Sequence, residues 1–228
     1  MAKCSGVILL TEEVSVKIYD GPIGIMVSGG VDSAILLYYL MKHIKDTIHI
    51  YTTGSNKKFR RNSIIAPRVV EKCIQLTGNN NVVHHIHYDE AATESSMIDA
   101  PQKDIKEQKI NIVYDGTTMN PPYDVAMNLA PEFKFDYNRK DSADNVTTYR
   151  NDKFYMPWAN IDKKGIAQMY RKENLIDSLL PTTRSCEYDP TCEHFDDIKD
   201  PGLEHCGKCW WCKEREWGFK ENGVKNED

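Results

Sequence analysis

Two short stretches of this 228-residue chain hold residue types at spacings that chemistry can use. The first is Ser28-Gly29-Gly30-Val31-Asp32-Ser33, set between an apolar run, Ile23 to Ser28, and a longer one beginning at Asp32. A helix starting there offers unpaired backbone N–H groups and a partial positive charge, and paired glycines let a phosphate reach the main chain without meeting a Cβ. Ser28 and Ser33 add hydroxyl donors, and Asp32 can hold a magnesium ion or orient the loop. The same letters would also serve a plain strand-to-helix turn, with glycines at positive φ and Asp32 as the cap.

The second stretch is Cys206-Gly207-Lys208-Cys209-Trp210-Trp211-Cys212, three thiols that one knuckle turn can aim at a single metal. Cys186 is the first candidate for a fourth ligand and Cys192 the second, with His194 and His205 behind them. Five of the seven cysteines lie between Cys186 and Cys212. In a reducing compartment they are not disulfides, and beside Lys208 and Lys213 they most simply bind zinc, in a closed structural site. An iron–sulfur cluster and buried unligated thiols are the competing readings.

Several single residues carry weaker signals. Lys163 opens a helix, where a cation opposes the helix dipole unless an anion lies nearby; a phosphate would be one. Asp115, Thr117 and Thr118 follow a short strand, and Lys57, Lys58, Arg60 and Arg61 follow another, at the sheet edge where open α/β folds bind ligands. Strand alternation sends His85 and His87 to one face and His84 to the other, so these three read as sheet residues rather than a metal site. Trp210, Trp211 and Trp217 are expected to pack the cysteine knuckle onto the main domain.

The elements that must position these groups follow from periodicity. Strands are expected at Ile23–Ser28, Thr47–Thr53, Asn81–Tyr88 and Ile110–Asp115; helices at Asp32–Lys45 and Ser63–Thr77, the second stopped by Gly78. Such alternation predicts a doubly wound, mostly parallel α/β sheet covered on both faces. Val14, Val16 and Ile18 suggest an N-terminal hairpin acting as a lid or an edge. The stretch from Glu90 to Asp152 is polar, contains Pro121-Pro122, and is expected to form long loops apart from its one strand. A short strand at Phe154 leads to a helix from Asp162 to Glu173 with a further turn to Leu180, and a terminal helix is expected from Lys213 to Glu221. The expected organisation is an extension over 1–22, an α/β domain over 23–180 and a zinc-binding segment over 181–228.

Composition excludes broad alternatives. Hydrophobic residues make up 40% and charged residues 28%, the balance of a globular core rather than of disorder. No apolar run reaches the roughly 20 residues a membrane span needs, and the N-terminal stretch lacks a basic start and long apolar middle, so a cytoplasmic chain is expected. Lys plus Arg 29 against Asp plus Glu 34 gives −5, which argues against nucleic acid as a partner.

S-G-G-V-D-S after a strand resembles the signature of the PP-loop ATP pyrophosphatases, and no G-K-S or G-K-T of a Walker loop follows the glycines. A C…C-G-x-C-x-x-C pattern behind such a domain is similar to the 7-cyano-7-deazaguanine synthases. Asn111 to Thr118, Phe154 to Lys163 and Pro181 to Cys186 resemble further segments of that family in the same order, while its proline-glycine-arginine-asparagine segment has no counterpart in Ser95 to Lys109. The resemblance implies ATP and magnesium held by Ser28, Gly29, Gly30, Val31, Asp32 and Ser33, with Thr53 and Gly54 near adenine. It implies catalytic roles for Asp32, Ser33 and Lys163, and zinc on Cys186, Cys206, Cys209 and Cys212. The implied substrates are a small carboxylate and ammonia, with ATP cleaved to AMP and pyrophosphate, in a homodimer. A PP-loop tRNA sulfur transferase and a non-catalytic, zinc-stabilised nucleotide-binding module are the alternative functions.

Overall fold

The structure is a computed structural model that describes residues 3–10, 14–54, 61–88, 94–129, 148–151, 153–186 and 205–223. Lys57, Lys58, Arg60, Cys192 and His194, singled out above, lie outside them. Its core is one sheet. Strand β3 (Ile23–Met26) pairs in parallel with β4 (Ile48–Gly54) on one side and β6 (Val113–Tyr114) on the other; β5 (Val82–Tyr88) extends the first side and β8 (Phe154–Met156) the second. The order is β5-β4-β3-β6-β8-β7, with β7 (Thr148–Asn151) antiparallel at the end. Chain order reverses between β3 and β6, which makes the crevice beyond their carboxyl ends the ligand-binding position of such a sheet.

The strands read as apolar runs because both faces are covered. Ile23 lies beside Ile48 and Ile25 beside Ile50, all four fully buried. Gly24 lets the central strands close up, since a Cβ there would stand 2.8 Å from Ile110 and 3.1 Å from Tyr51. Helix α1 (Val31–His43) crosses from β3 to β4, and from Ala34 to Met41 every residue is buried, so it is a core helix without a solvent face. Helix α2 (Asn62–Thr77) packs on it and stops where predicted, at Gly78 with φ 68°. The end of α1 is closed by a side chain: Asn79 Nδ2 donates to the carbonyls of Met41 and Ile44, both at 2.9 Å.

Three expectations are corrected. The stretch from Glu90 to Asp152, expected to hold one strand, has among its described residues two helices, α3 (Glu94–Lys106) and α4 (Tyr123–Leu129), and two strands, β6 and β7. Pro101 lies inside α3, whose Ile98, Ala100 and Ile105 pack on Tyr51, Ile110, Val113 and Phe154, so tertiary burial outweighs the helix-breaking proline. The N-terminal hairpin β1 (Cys4–Leu9) and β2 (Ser15–Tyr19) is not an edge of the main sheet. It is a separate two-stranded sheet fastened to β6 and β8: Tyr114 Oη donates to Lys17 O at 2.8 Å, Lys17 N donates to Tyr155 Oη at 2.9 Å, and Tyr19 stacks edge-on against both rings. Helix α6 (Trp210–Lys220) begins three residues earlier than expected, because Cys209 serves as its N-cap. Helix α5 (Lys163–Lys172) and the 3-10 turn Leu180–Thr182 lie close to the expected positions.

Asn79→Ala removes both bonds that close α1. Urea unfolding is expected to show a loss of about 1–2 kcal/mol, in the range of net hydrogen-bond contributions at a half-buried site.

Candidate functional site

The turn from β3 into α1 is held by its own atoms. Gly30 N donates to Ser28 Oγ at 3.3 Å, Ser33 Oγ donates to Gly30 O at 3.2 Å, and the two serine hydroxyls stand 3.4 Å apart. Gly29 is required: its φ is +89°, and a Cβ there would lie 2.7 Å from Ile65 Cγ2 and 3.0 Å from Ala66 N. Gly30, extended at φ −73° and ψ 164°, is the N-cap of α1 and has no side chain to occupy the N–H groups behind it. Asp32, expected as a possible cap, instead sits in the first turn and turns sideways to Lys163. On the far side, a Cβ on Gly116 would stand 3.0 Å from Ser33 N, so the exit of β6 lies directly against this turn.

The remaining predicted residues converge only in part. Lys163 Nζ pairs with the Asp32 carboxylate and lies 3.8 Å from Glu214 Oε2; its side chain is 5% exposed and that of Glu214 is fully buried. The cation at the head of α5 therefore does have its anion, supplied by the loop itself. Asp162 caps α5 by accepting from Lys164 N and Gly165 N at 2.9 and 3.1 Å. Asp32 Oδ1 is a buried oxygen with no hydrogen-bond partner. Asp115 Oδ1 accepts from the amide and hydroxyl of Thr117, closing the turn after β6. Thr53 and Gly54 end β4, Thr53 buried and Gly54 against Ser63. Thr52, fully buried, donates to Val27 O at 2.8 Å and so must accept from His84 Nε2 at 2.9 Å, which fixes that imidazole as the Nε2–H tautomer.

Sequence inspection missed the residues that hold the site in place. Trp158 Nε1 donates to Asp32 O at 3.1 Å and Tyr170 Oη to Val31 O at 3.0 Å. Glu214 and Gly218 of α6 complete the setting of Lys163: a Cβ at Gly218 would stand 2.7 Å from the Lys163 carbonyl carbon and oxygen. Arg184 N donates to Gly29 O at 2.9 Å, and the buried Ser185 Oγ, with no hydrogen-bond partner, faces Gly30. Of these, Trp158 had a signal in the sequence as part of the segment Phe154 to Lys163, and Arg184 and Ser185 as part of the segment leading to Cys186.

That segment joins the loop to the thiols. The Sγ atoms of Cys186, Cys206, Cys209 and Cys212 all lie within 4.8 Å of one another, with Cys206 to Cys212 and Cys186 to Cys209 at 3.8 Å, an arrangement able to hold a metal ion. Hydrogen bonds with Cys186 and its neighbours hold the Cys206 thiol far below its ordinary value and push Cys209 and Cys212 above theirs, so the four do not ionise together without a cation among them. His205 is not a fourth ligand but an outer partner, its Nδ1 3.7 Å from Cys212 Sγ. Arg215 is buried and donates to Thr183 O, Thr183 Oγ1 and Leu180 O; burial lowers its pKa to about 10. Trp210 packs with Ala126 of α4, which joins the knuckle to that helix, and Lys164 Nζ lies 4.9 Å over the Trp217 ring.

A family model described as asparagine synthase matches residues 9–98, a stretch that includes β3, the glycine turn Ser28–Ser33 and α1. No curated protein matches the chain. Among solved structures, the U34-tRNA thiolase NcsA from Methanococcus maripaludis, described with its [4Fe-4S] cluster, is similar over 92% of this chain and 74% of its own at 14% identity, with a TM-score of 0.43. The NMN synthetase from Francisella tularensis is similar over 88% of this chain and 84% of its own at 12% identity, with a TM-score of 0.38. The fold is α/β, with five parallel strands and the glycine turn at the point where their order reverses.

Two outcomes follow from the packing and charge of the site. Gly218→Ala overpacks the α5–α6 contact and is expected to lower stability by about 1–3 kcal/mol in chemical denaturation. Burial lowers the pKa of His84 to about 4, below its ordinary 6.5. Above pH 6.5 neither folded nor unfolded chain protonates it; between 6.5 and 4 only the unfolded chain does. Its contribution is therefore present at neutral pH and is lost on acidification, by less than the limit of about 1.4 kcal/mol per pH unit for one proton because the ring is only partly buried. His84→Gln should flatten that slope in urea titrations run from pH 7 to 4.

Proposed function

We propose that this chain is an ATP pyrophosphatase that activates a small carboxylate by adenylation and then aminates it, with 7-carboxy-7-deazaguanine as the acid and 7-cyano-7-deazaguanine as the product. One observation carries the first half: a glycine-paired, uncapped helix N-terminus at the switch point of a parallel sheet, with a buried lysine against its first turn. The matching of a model described as asparagine synthase across this loop supports a synthase reading. The choice of acid rests on the motif resemblance alone.

The chemistry is a displacement at phosphorus followed by one at carbon. A carboxylate oxygen attacks the α-phosphorus, the bond to the β-phosphate oxygen breaks, and pyrophosphate departs. Ammonia adds to the acyl carbon and loses a proton, and AMP leaves with the former carboxylate oxygen, giving the amide. For the nitrile, the amide oxygen attacks the α-phosphorus of a second ATP and expels a second pyrophosphate; AMP then leaves with the amide oxygen as the nitrogen gives up two protons, forming the carbon–nitrogen triple bond. The protein's part is positioning and charge. Amides of Val31 and Asp32 would face the phosphates with the α1 dipole behind them, Ser28, Ser33 and Ser185 would supply hydroxyls, and Lys163 would share its ammonium between Asp32 and the departing pyrophosphate. Asp32 Oδ1, buried and without a hydrogen-bond partner, suits a magnesium ion, which would offset phosphate charge.

The metal of the cysteine site is zinc in this reading. Four thiolates around one zinc at about 2.3 Å stand about 3.8 Å apart, the separation of two of the pairs here. Thiolates on separate irons of a cluster must stand further apart than thiolates sharing one ion. The tRNA sulfur transferases usually rely on a reactive thiol close to the active-site strands, and among the described residues the cysteines outside the quartet are exposed Cys4 on β1 and buried Cys73, whose pKa burial raises well above its ordinary value.

Pyrophosphate release from Mg-ATP is expected to depend on the acid, with the nitrile detected by mass when ammonium is present. Lys163→Ala is expected to lower kcat/KM about 100-fold or more, as for loss of one preorganised charge donor. ATP binding without pyrophosphate release under any acceptor would identify a binding module instead.

A further inference from the structure

A second group of ligating side chains lies on the α3-covered face of the sheet, among residues the proposed reaction does not use. We propose that His49, His85 and Asp104 form a binding site for a divalent first-row metal ion, with two imidazoles and one carboxylate as ligands. One ligand atom from each lies within 4.8 Å of the others. They come from β4, β5 and α3, and parallel pairing sets the first two: His85 lies opposite Tyr51, which places it diagonally from His49 on the same face.

The imidazole nitrogens are 3.1 Å apart, Nδ1 of His49 to Nε2 of His85. Either a shared proton or a shared ion with metal–nitrogen bonds of about 2.0–2.1 Å sets such a spacing. The third group favours the ion. Asp104 is not simply nearby: Tyr51 Oη donates to its Oδ2 at 2.6 Å and Lys109 Nζ to its Oδ1 at 3.1 Å, the kind of outer partners that aim a ligating carboxylate. The rings are likewise aligned, His49 and His85 stacked at 5.3 Å and 9°, with Tyr51 stacked on His85 at 5.0 Å and 14°. Burial holds both histidines below their ordinary value, so each keeps a lone pair at neutral pH. All three residues are half-buried, and among the described residues β5 ends the sheet, so the group is not sealed within the core. A two-histidine, one-carboxylate set suits zinc, iron(II) or cobalt(II) better than magnesium or calcium.

The full chain, with its cysteine quartet intact, is dialysed against buffered Zn²⁺ and its metal counted per chain; the same samples are loaded with ¹¹³Cd²⁺ for NMR. Two zinc ions and two cadmium resonances are expected, one in the thiolate range and one in the nitrogen–oxygen range. H85A and H49A should each lose one ion and only the nitrogen–oxygen resonance, while D104N should weaken the second ion at least tenfold. H85Q, which keeps the side-chain volume, serves if H85A does not fold. One zinc per chain in the wild type overturns the proposal, as does retention of two ions by H49A and H85Q.

Discussion

The first turn of α1 is the point on which the rest of the molecule is arranged. Helix starts leave N–H groups exposed, and this one has a glycine cap that covers none of them. Keeping such an end open and fixed requires contacts from elsewhere. Trp158 and Tyr170 grip the carbonyls of Asp32 and Val31, Lys163 holds the Asp32 side chain, and the backbone at Gly116 closes the other side. The turn is thus fixed through its carbonyls and the Asp32 side chain rather than through its helix-start amides. Under the proposed function such preorganisation matters, because a phosphate would meet dipoles that need not reorient.

Much of this was legible before any coordinates. The alternation of β3, α1, β4, α2 and β5 shows in the sequence because parallel strands and a fully buried helix are written as unbroken apolar runs bounded by glycine. The dipole argument at Lys163 called for an anion, and one is there, although it belongs to the protein. Helix α3 was illegible because Pro101 and a largely charged sequence conceal three apolar residues whose burial only the sheet beneath them explains. Glu214 and Gly218 had no local signal at all: a buried glutamate and a helical glycine acquire meaning only once α6 lies across the head of α5. His49 and Asp104 were equally silent, since parallel pairing and a helix crossing, not spacing along the chain, bring them to His85.

The thiol quartet and the glycine turn before α1 are one mechanical unit. Arg184 bonds to Gly29 through its backbone, Ser185 faces Gly30, and the next residue is a cysteine of the quartet. An ion that fixes Cys186 thereby fixes one wall of the loop. Arg215, buried beneath the same turn with only carbonyl and hydroxyl oxygens as its hydrogen-bond acceptors, gains from the excess negative charge that four thiolates around a divalent ion would carry.

Helix α6 carries a cysteine of the quartet at Cys212 and the lysine's packing partner at Gly218 on a single rigid rod. Six residues of helix span about 9 Å, and each residue turns the rod by about 100°. The helix therefore acts as a gauge block between two centres: its length sets their separation and its phase sets which side chain meets Lys163. Conservative replacements along its outer face leave that measurement intact. A single inserted or deleted residue between those two positions would not, because it would turn Gly218 away and swing a side chain into the space that only a glycine fits.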